Sequence, residues 1–84
     1  MNIYYHPQFK KSYRKLPNEI KTLAEARETI FRKNPFSPQL QTHKLHGKLK
    51  NQWSFSINNK YRIMFEFHKL DITFLDIGDH DLYK

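Results

Sequence analysis

Two apolar alternations separated by three polar residues constrain this chain more than anything else in it. Trp53, Phe55 and Ile57 alternate with Ser54 and Ser56; after Asn58-Asn59-Lys60, Tyr61, Ile63, Phe65 and Phe67 alternate with Arg62, Met64 and Glu66. A period of two marks a strand with one buried face. The two strands must pair so that both apolar sets share a face, because a slip of one residue carries a whole set to the other side. A two-residue loop at Asn58-Asn59 sets Phe55 beside Arg62. A three-residue loop, Asn58 to Lys60, pairs Ile57 with Tyr61 and Phe55 with Ile63, and gathers the large apolar side chains on one face. Asparagine tolerates the left-handed backbone such a loop calls for. Ser54, Ser56, Arg62, Met64 and Glu66 are left on the opposite face.

The remaining elements follow from period and punctuation. Residues 2–5 predict a first strand. Pro7 suits the first turn of a helix, and Phe9, Tyr13 and Leu16 recur on one helical face while Lys10, Lys11, Arg14 and Lys15 fill the other. Leu16-Pro17 breaks that helix. A second helix starts with Pro17 near its first turn, its stripe formed by Ile20, Leu23, Ala24, Arg27, Ile30 and Phe31. Arg27 is expected to lay its stem along the stripe with its head in water. Lys21–Glu25 and Glu28–Arg32 are spaced to pair along this helix, which Asn34-Pro35 ends. Residues 34–42 read as a loop. Ile72–Ile77 predicts a third strand of the meander, apolar on both parities and so central and covered on both sides. The order is β-αα-βββ: an α+β domain over 1–84, with an antiparallel or mixed sheet packed on an N-terminal helical hairpin.

A chain of 84 residues buries only roughly 60–65% of its unfolded surface, so the core must come from few, large side chains. Seven Phe, five Tyr and one Trp supply them. There is no cysteine, hence no disulfide or zinc-thiolate site, which fits a cytoplasmic protein. No segment is apolar enough to span a membrane, and the N-terminus has no secretory h-region.

Charge is unevenly spread. Residues 1–50 hold eleven Lys or Arg against three acids, whereas residues 51–84 hold four against five. Such asymmetry suits a polyanion or an acidic partner on the first part. The densest stretch is His43-Lys44-Leu45-His46-Gly47-Lys48-Leu49-Lys50. Leu45 and Leu49 are expected to anchor it, leaving Lys44, Lys48 and Lys50 to track phosphates with His43 and His46 beside them. His43-x-x-His46 has no third ligand at a suitable spacing, so no metal or other cofactor is expected. Arg62, alone on its parity, suits a bidentate clamp on a phosphate or a developing oxyanion; spacing alone fits an ordinary arginine on a solvent-facing sheet equally well. His80 and Tyr83, just past the third strand, supply a group that moves protons near neutral pH and a ring that stacks on a base. The Gly-rich phosphate loops and the elbow of serine hydrolases are absent. Cations, histidines and tyrosines suit metal-free RNA cleavage, in which the RNA's own 2′-OH is the nucleophile.

The layout L-H-G-x-L-x-x-x-W-S-x-x-I-x-x-x-Y-R-I-x-F from Leu45 to Phe65, with L-D-I-G-D-H-D-L-Y from Leu75 to Tyr83 and F-x-K-x-x-x-K-L-P from Phe9 to Pro17, resembles the RelE/ParE superfamily of bacterial type II toxins. It is most similar to the RelE/YoeB-type mRNA interferases. The resemblance implies a metal-independent endoribonuclease acting on mRNA in the ribosomal 30S A site, and a cognate antitoxin that wraps the toxin in an oligomeric complex. By that resemblance Arg62 matches a phosphate-binding arginine and Tyr83 a tyrosine that orients or stacks on substrate. His80 matches an acid or charge stabiliser. His43 lies near a glutamate base of YoeB-like members, and His46 lies in the basic loop that follows. Ser54 and Ser56 stand where RelE carries two lysines, so a lysine-driven mechanism is not implied. The same fold and charge suit a ParE-like inhibitor of DNA gyrase acting by binding, or a non-catalytic antitoxin-binding homologue. The antitoxin is expected to cover the basic first half.

Overall fold

The computed structural model describes residues 1–47, 51–79 and 82. In it the chain runs through β1 (Ile3–Tyr5), α1 (Pro7–Arg14), α2 (Asn18–Lys33), a 3₁₀ turn (Pro38–Leu40), β2 (His43–Lys44), β3 (Trp53–Ser56), β4 (Arg62–His68) and β5 (Asp71–Gly78). The sheet order is β1-β5-β4-β3-β2, with β1 parallel to β5 and the other pairs antiparallel. The expected β-αα-βββ order thus gains one short edge strand, β2. It falls inside the Lys/His run, where no alternation announces it.

The three-residue loop sets the register expected for it. Phe55 pairs with Ile63, Trp53 with Phe65, and Ser56 with Arg62. The role assigned to asparagine differs. Among the described residues only Gln41, Gly47 and Lys69 have positive φ, so Asn58 works through its side chain: Oδ1 accepts hydrogen bonds from the backbone N–H of Lys60 at 2.8 Å and of Tyr61 at 2.7 Å. A carboxamide oxygen thereby satisfies two donors that the tight loop would otherwise strand.

Helix α1 begins where Pro7 sets φ, and His6 caps it, its Nδ1 accepting from Gln8 N–H at 3.0 Å. Helix α2 begins just after Pro17 and stops at Asn34, whose extended backbone is what the following proline favours. Phe9 from α1 and Phe31 from α2 enter one core with Phe55, Ile57, Ile63, Phe65, Ile72, Phe74 and Ile77. Phe31 is its hub, fully buried, with its ring 4.7 Å from Phe55, 5.0 Å from Phe65 and 5.5 Å from Phe74 between centroids.

One of the two ion pairs expected along α2 gives way to tertiary partners. Glu28 and Arg32 pair at 3.1 Å, but Lys21 and Glu25 do not. Lys21 Nζ instead donates to the carbonyl of Arg14 at 3.2 Å and lies over the Tyr13 ring, while Glu25 accepts from the Tyr13 hydroxyl at 3.1 Å. The exposed Arg27 head also donates to the carbonyl of Gln39 at 3.1 Å and ties α2 to the 3₁₀ turn.

Strand β5 explains its mixed parity with one extra residue. Phe74 pairs with Phe65, yet Asp76 pairs with Met64, so Leu75 bulges out between them. Before the bulge Ile72 and Phe74 face the core; after it Ile77 does. The strand is central in the order but Thr73 and Leu75 are only half-buried, so the second covering layer is partial.

On the helical side, α1 and α2 border an open groove of about 510 Å³ with Phe9 and Ile63 in its lining. Tyr5 donates its hydroxyl to Glu28 at 2.7 Å across this groove, alongside the Tyr13–Glu25 bond. Burial, then the hydrogen bond to a carboxylate, raises both phenols above their ordinary value. Among the described residues no helix is long and apolar enough to cross a membrane.

Truncating Phe31 to Ala should cost about 3–5 kcal/mol, the loss of a fully buried aromatic plus its cavity, read as a lower urea midpoint. The raised phenols contribute stability that is fully present below their ordinary value near pH 10 and lost as pH rises through the folded values. A Tyr5→Phe, Tyr13→Phe double variant should therefore lose less stability than the parent between neutral pH and strong alkali in urea titrations.

Candidate functional site

Directly paired residues on neighbouring strands point to the same face. On the face away from the helices this makes two rows. One runs His43, Ser54, Met64, Asp76; the other runs Ser56, Arg62, Gly78, extended by Gln41, whose Oε1 accepts from Ser56 Oγ at 3.3 Å. Ser54 is fully buried and Ser56 and Met64 nearly so. Arg62 and Asp76 are half-buried, and His43 is exposed. The face is therefore not the open sheet surface that the bland reading of Arg62 supposed. Serines are short enough for longer neighbours to fold over them, and Arg62 does so: Nη1 donates to Ser56 Oγ, its cross-strand partner, and to the Asn58 carbonyl at 3.4 Å.

These partners are neutral oxygens. Among the described residues no carboxylate pairs with Arg62, and its Nε and Nη2 have no acceptor. A guanidinium held by a serine and a carbonyl on one edge keeps its full charge and a fork of N–H donors for an incoming anion. Gln41 holds Ser56, and Ser56 holds the guanidinium, so the fork is fixed before anything binds.

His43 is oriented by a different contact. Its Nδ1 lies 3.0 Å from the carbonyl oxygen of Gln41. A carbonyl only accepts, so Nδ1 carries the hydrogen, and the basic lone pair of the neutral ring sits on Nε2. This is the tautomer a proton-accepting imidazole needs.

The structure unites some predicted site residues and separates others. Arg62 and His43 share the two-row face. Lys44 does not: it pairs with Trp53 and so lies on the helical side of the sheet, because successive strand residues alternate faces. His46 is exposed in the turn after β2, beside Gly47, whose φ of 70° makes that turn. Leu45 is buried as expected and continues the β2–β3 ladder, its N–H donating to the Gln52 carbonyl at 2.8 Å. Lys48, Leu49, Lys50, His80 and Tyr83 lie outside the described residues. Leu82 packs against Gly78, at the end of the Arg62 row: a Cβ built on Gly78 would sit 3.2 Å from Leu82 Cδ2. Among the described residues no three His, Asp or Glu gather as metal ligands.

Two residues of this face escaped the sequence reading. Asp76, whose Oδ1 accepts from Ile77 N–H at 2.8 Å, had a signal, since it interrupts an apolar strand. Gln41 had none; it reaches Ser56 from a loop, in a left-handed conformation at φ 52°. The groove between the helices contains none of the predicted site residues and opens on the other side of the sheet.

Residues 1–83 match the family model described as "Bacterial toxin of type II toxin-antitoxin system, YafQ". Among curated proteins none matches by sequence. Solved structures of the same shape include YafQ from E. coli strain BL21(DE3), with a TM-score of 0.81 at 16% identity, covering 98% of this chain and 96% of that one. A YoeB/ParE toxin from Agrobacterium tumefaciens has a TM-score of 0.78 at 13% identity, covering 95% and 99%. The E. coli DinJ-YafQ toxin-antitoxin complex contains a chain with a TM-score of 0.78 at 16% identity, covering 96% and 93%. At these identities the likeness shows a shared fold.

Proposed function

The chain belongs to the YafQ family of toxins of bacterial type II toxin–antitoxin systems, and from that premise we propose that it is an endoribonuclease, an mRNA interferase, with residues 1–84 acting as one toxin domain. The observation that carries this reading is Arg62, a pre-oriented guanidinium with no carboxylate partner among the described residues, on the same sheet face as His43. A phosphodiester fits that arrangement, since its negative charge grows on the non-bridging oxygens as the phosphorus becomes five-coordinate.

The reaction uses the RNA's own 2′-OH. His43 takes the 2′-OH proton at Nε2 as the oxygen attacks the adjacent phosphorus. The P–O5′ bond breaks, and the departing 5′-oxygen takes a proton from an acid, for which His80 is the candidate and His46 the alternative. The products are a 2′,3′-cyclic phosphate and a 5′-OH. Tyr83 is the candidate to stack on a base, and Lys44, Lys48 and Lys50 to hold flanking phosphates. With Ser54 and Ser56 beneath the phosphate there is no lysine to share the charge, so Arg62 bears more of it. No metal or cofactor takes part in this scheme. The substrate is mRNA, presented by the ribosome, and the protein partner is a cognate antitoxin held in a toxin–antitoxin complex in the cytoplasm. The support for the antitoxin is the family itself and the relative solved with DinJ.

Inducible expression with primer-extension mapping of mRNA ends tests this. Codon-phased cuts are expected from the parent. Removing the fork in Arg62→Ala should lower the cleavage rate by about 10²–10³, and His43→Ala and His80→Ala by about 10²–10⁴ each. Growth arrest with intact mRNA and blocked DNA supercoiling would replace the nuclease with a gyrase inhibitor. Antitoxin binding without any growth effect would leave a non-catalytic homologue.

A further inference from the structure

Among the described residues Phe36 and Tyr4 are the two aromatics that the core does not claim. Phe36 is 54% exposed, yet it is not loose. Asn34 Oδ1 accepts from its N–H at 3.0 Å, Ser37 N–H donates back to the Asn34 carbonyl at 3.0 Å, and the Thr42 hydroxyl donates to the Pro35 carbonyl. Prolines 35 and 38 stiffen the chain on either side. Its ring meets the Trp53 ring edge-on at 5.6 Å and stacks on Phe67 at 6.0 Å. Trp53 and Phe67 are themselves half-buried. The result is a rigid aromatic step standing proud of the sheet.

A cation is paired with the tryptophan that the Phe36 ring meets. Lys44 is exposed and paired with Trp53, and Thr42, two residues earlier on the same side, bonds to the Phe36 loop. The other parity of the same segment, Gln41 and His43, faces Ser56 and Ser54 in the Arg62 rows. Strand β2 is only two residues long and forms the edge of the sheet. One edge therefore offers an imidazole to the Arg62 face and an ammonium to the aromatic step, with nothing wider than a strand between them.

We propose that this step is a nucleobase-stacking subsite, and that a single RNA strand held at Arg62 turns around the β2 edge, its phosphates passing His43 and Lys44 and a flanking base stacking on Phe36 beside Trp53. The inference rests on RNA being the substrate. It follows from charge and shape together. The first 50 residues carry eleven cations against three acids, which draws a polyanion. A bare aromatic face beside a lysine is the recurring platform for an unpaired base, and it is tolerant of sequence because every base has a π-face. A flexible strand with a phosphate at each nucleotide matches an edge that presents Arg62 on one face and Lys44 on the other. An acidic protein would answer the charge but would not require a rigid, exposed ring at its end.

Trp53 is the only tryptophan, so tryptophan fluorescence comes from the ring that Phe36 meets. The probes are non-cleavable 2′-O-methyl oligonucleotides of nine and of three nucleotides, and a nine-nucleotide oligomer of the same phosphates with abasic flanks. The nine-mer should quench Trp53 and bind more tightly than the other two, neither of which should quench. Phe36→Leu, which keeps apolar contact but removes the π-face, should weaken nine-mer binding about 5- to 100-fold, and Phe36→Tyr should restore it. Equal quenching by the abasic oligomer, or no quenching by any of them, overturns the proposal whether or not the variants fold. So does a Phe36→Leu variant that binds RNA normally but loses its antitoxin, which would make the step a protein contact. Because the probes cannot be cut, a chain that never cleaves mRNA but shows base-dependent quenching retains the subsite without the nuclease. A chain that cleaves but shows no quenching retains the nuclease without the subsite.

Discussion

One carboxamide oxygen fixes the register on which everything else rests. By accepting from both Lys60 and Tyr61, Asn58 Oδ1 holds the β3–β4 connection at three residues. That length sends Trp53, Phe55, Ile63 and Phe65 to the helices and leaves Ser56 against Arg62. A loop one residue shorter would exchange the two sets. Phe31 would then meet polar groups, and the guanidinium would be buried among rings with no partner, an arrangement that costs far more than any loop strain. The core and the candidate site are two readouts of one alternation, so neither can be altered by a slip without destroying the other.

What was legible in the sequence is what repeats locally. Periods of two and 3.6, punctuated by prolines, gave both helices, the meander and its pairing, because burial of one face forces those patterns onto the chain. Arg62 was visible as a lone cation on the polar parity. The features that escaped depend on who arrives from a distance. Strand β2 is two residues in a run of lysines and histidines, too short to alternate. Gln41 earns its place only when the loop after α2 brings it to Ser56. Lys21 and Glu25 have the spacing of an ion pair, but Tyr13 and the end of α1 offer each a better partner. Spacing predicts opportunity; packing decides among competing opportunities. The family resemblance drawn from the motif layout agrees with the family match, while the division of labour among His43, His46 and His80 rests on that resemblance and on the chemistry of imidazole.

The two faces of the sheet handle charge differently. On the helical side Glu25 and Glu28 receive phenol hydroxyls, and Glu28 also binds Arg32, so two of the three acids of the basic half are occupied. On the other side the partners of Arg62 among the described residues are neutral oxygens. The one carboxylate of this face that the rows include, Asp76, is turned to the Ile77 N–H rather than to the guanidinium.

The bulge at Leu75 works like a frameshift in the side-chain pattern. Every residue of β5 after it comes out on the side opposite to the one the preceding residues would dictate. Pair Leu75 as an ordinary strand residue instead, and Asp76 turns inward toward the phenylalanines while Ile77 turns outward toward Arg62. Leu82 contacts Gly78 at the end of this segment, so the face that Gly78 presents depends on Leu75 being bulged out rather than paired. The bulge absorbs a position that adds nothing to the core and so keeps the end of β5 in phase with Met64 and Arg62.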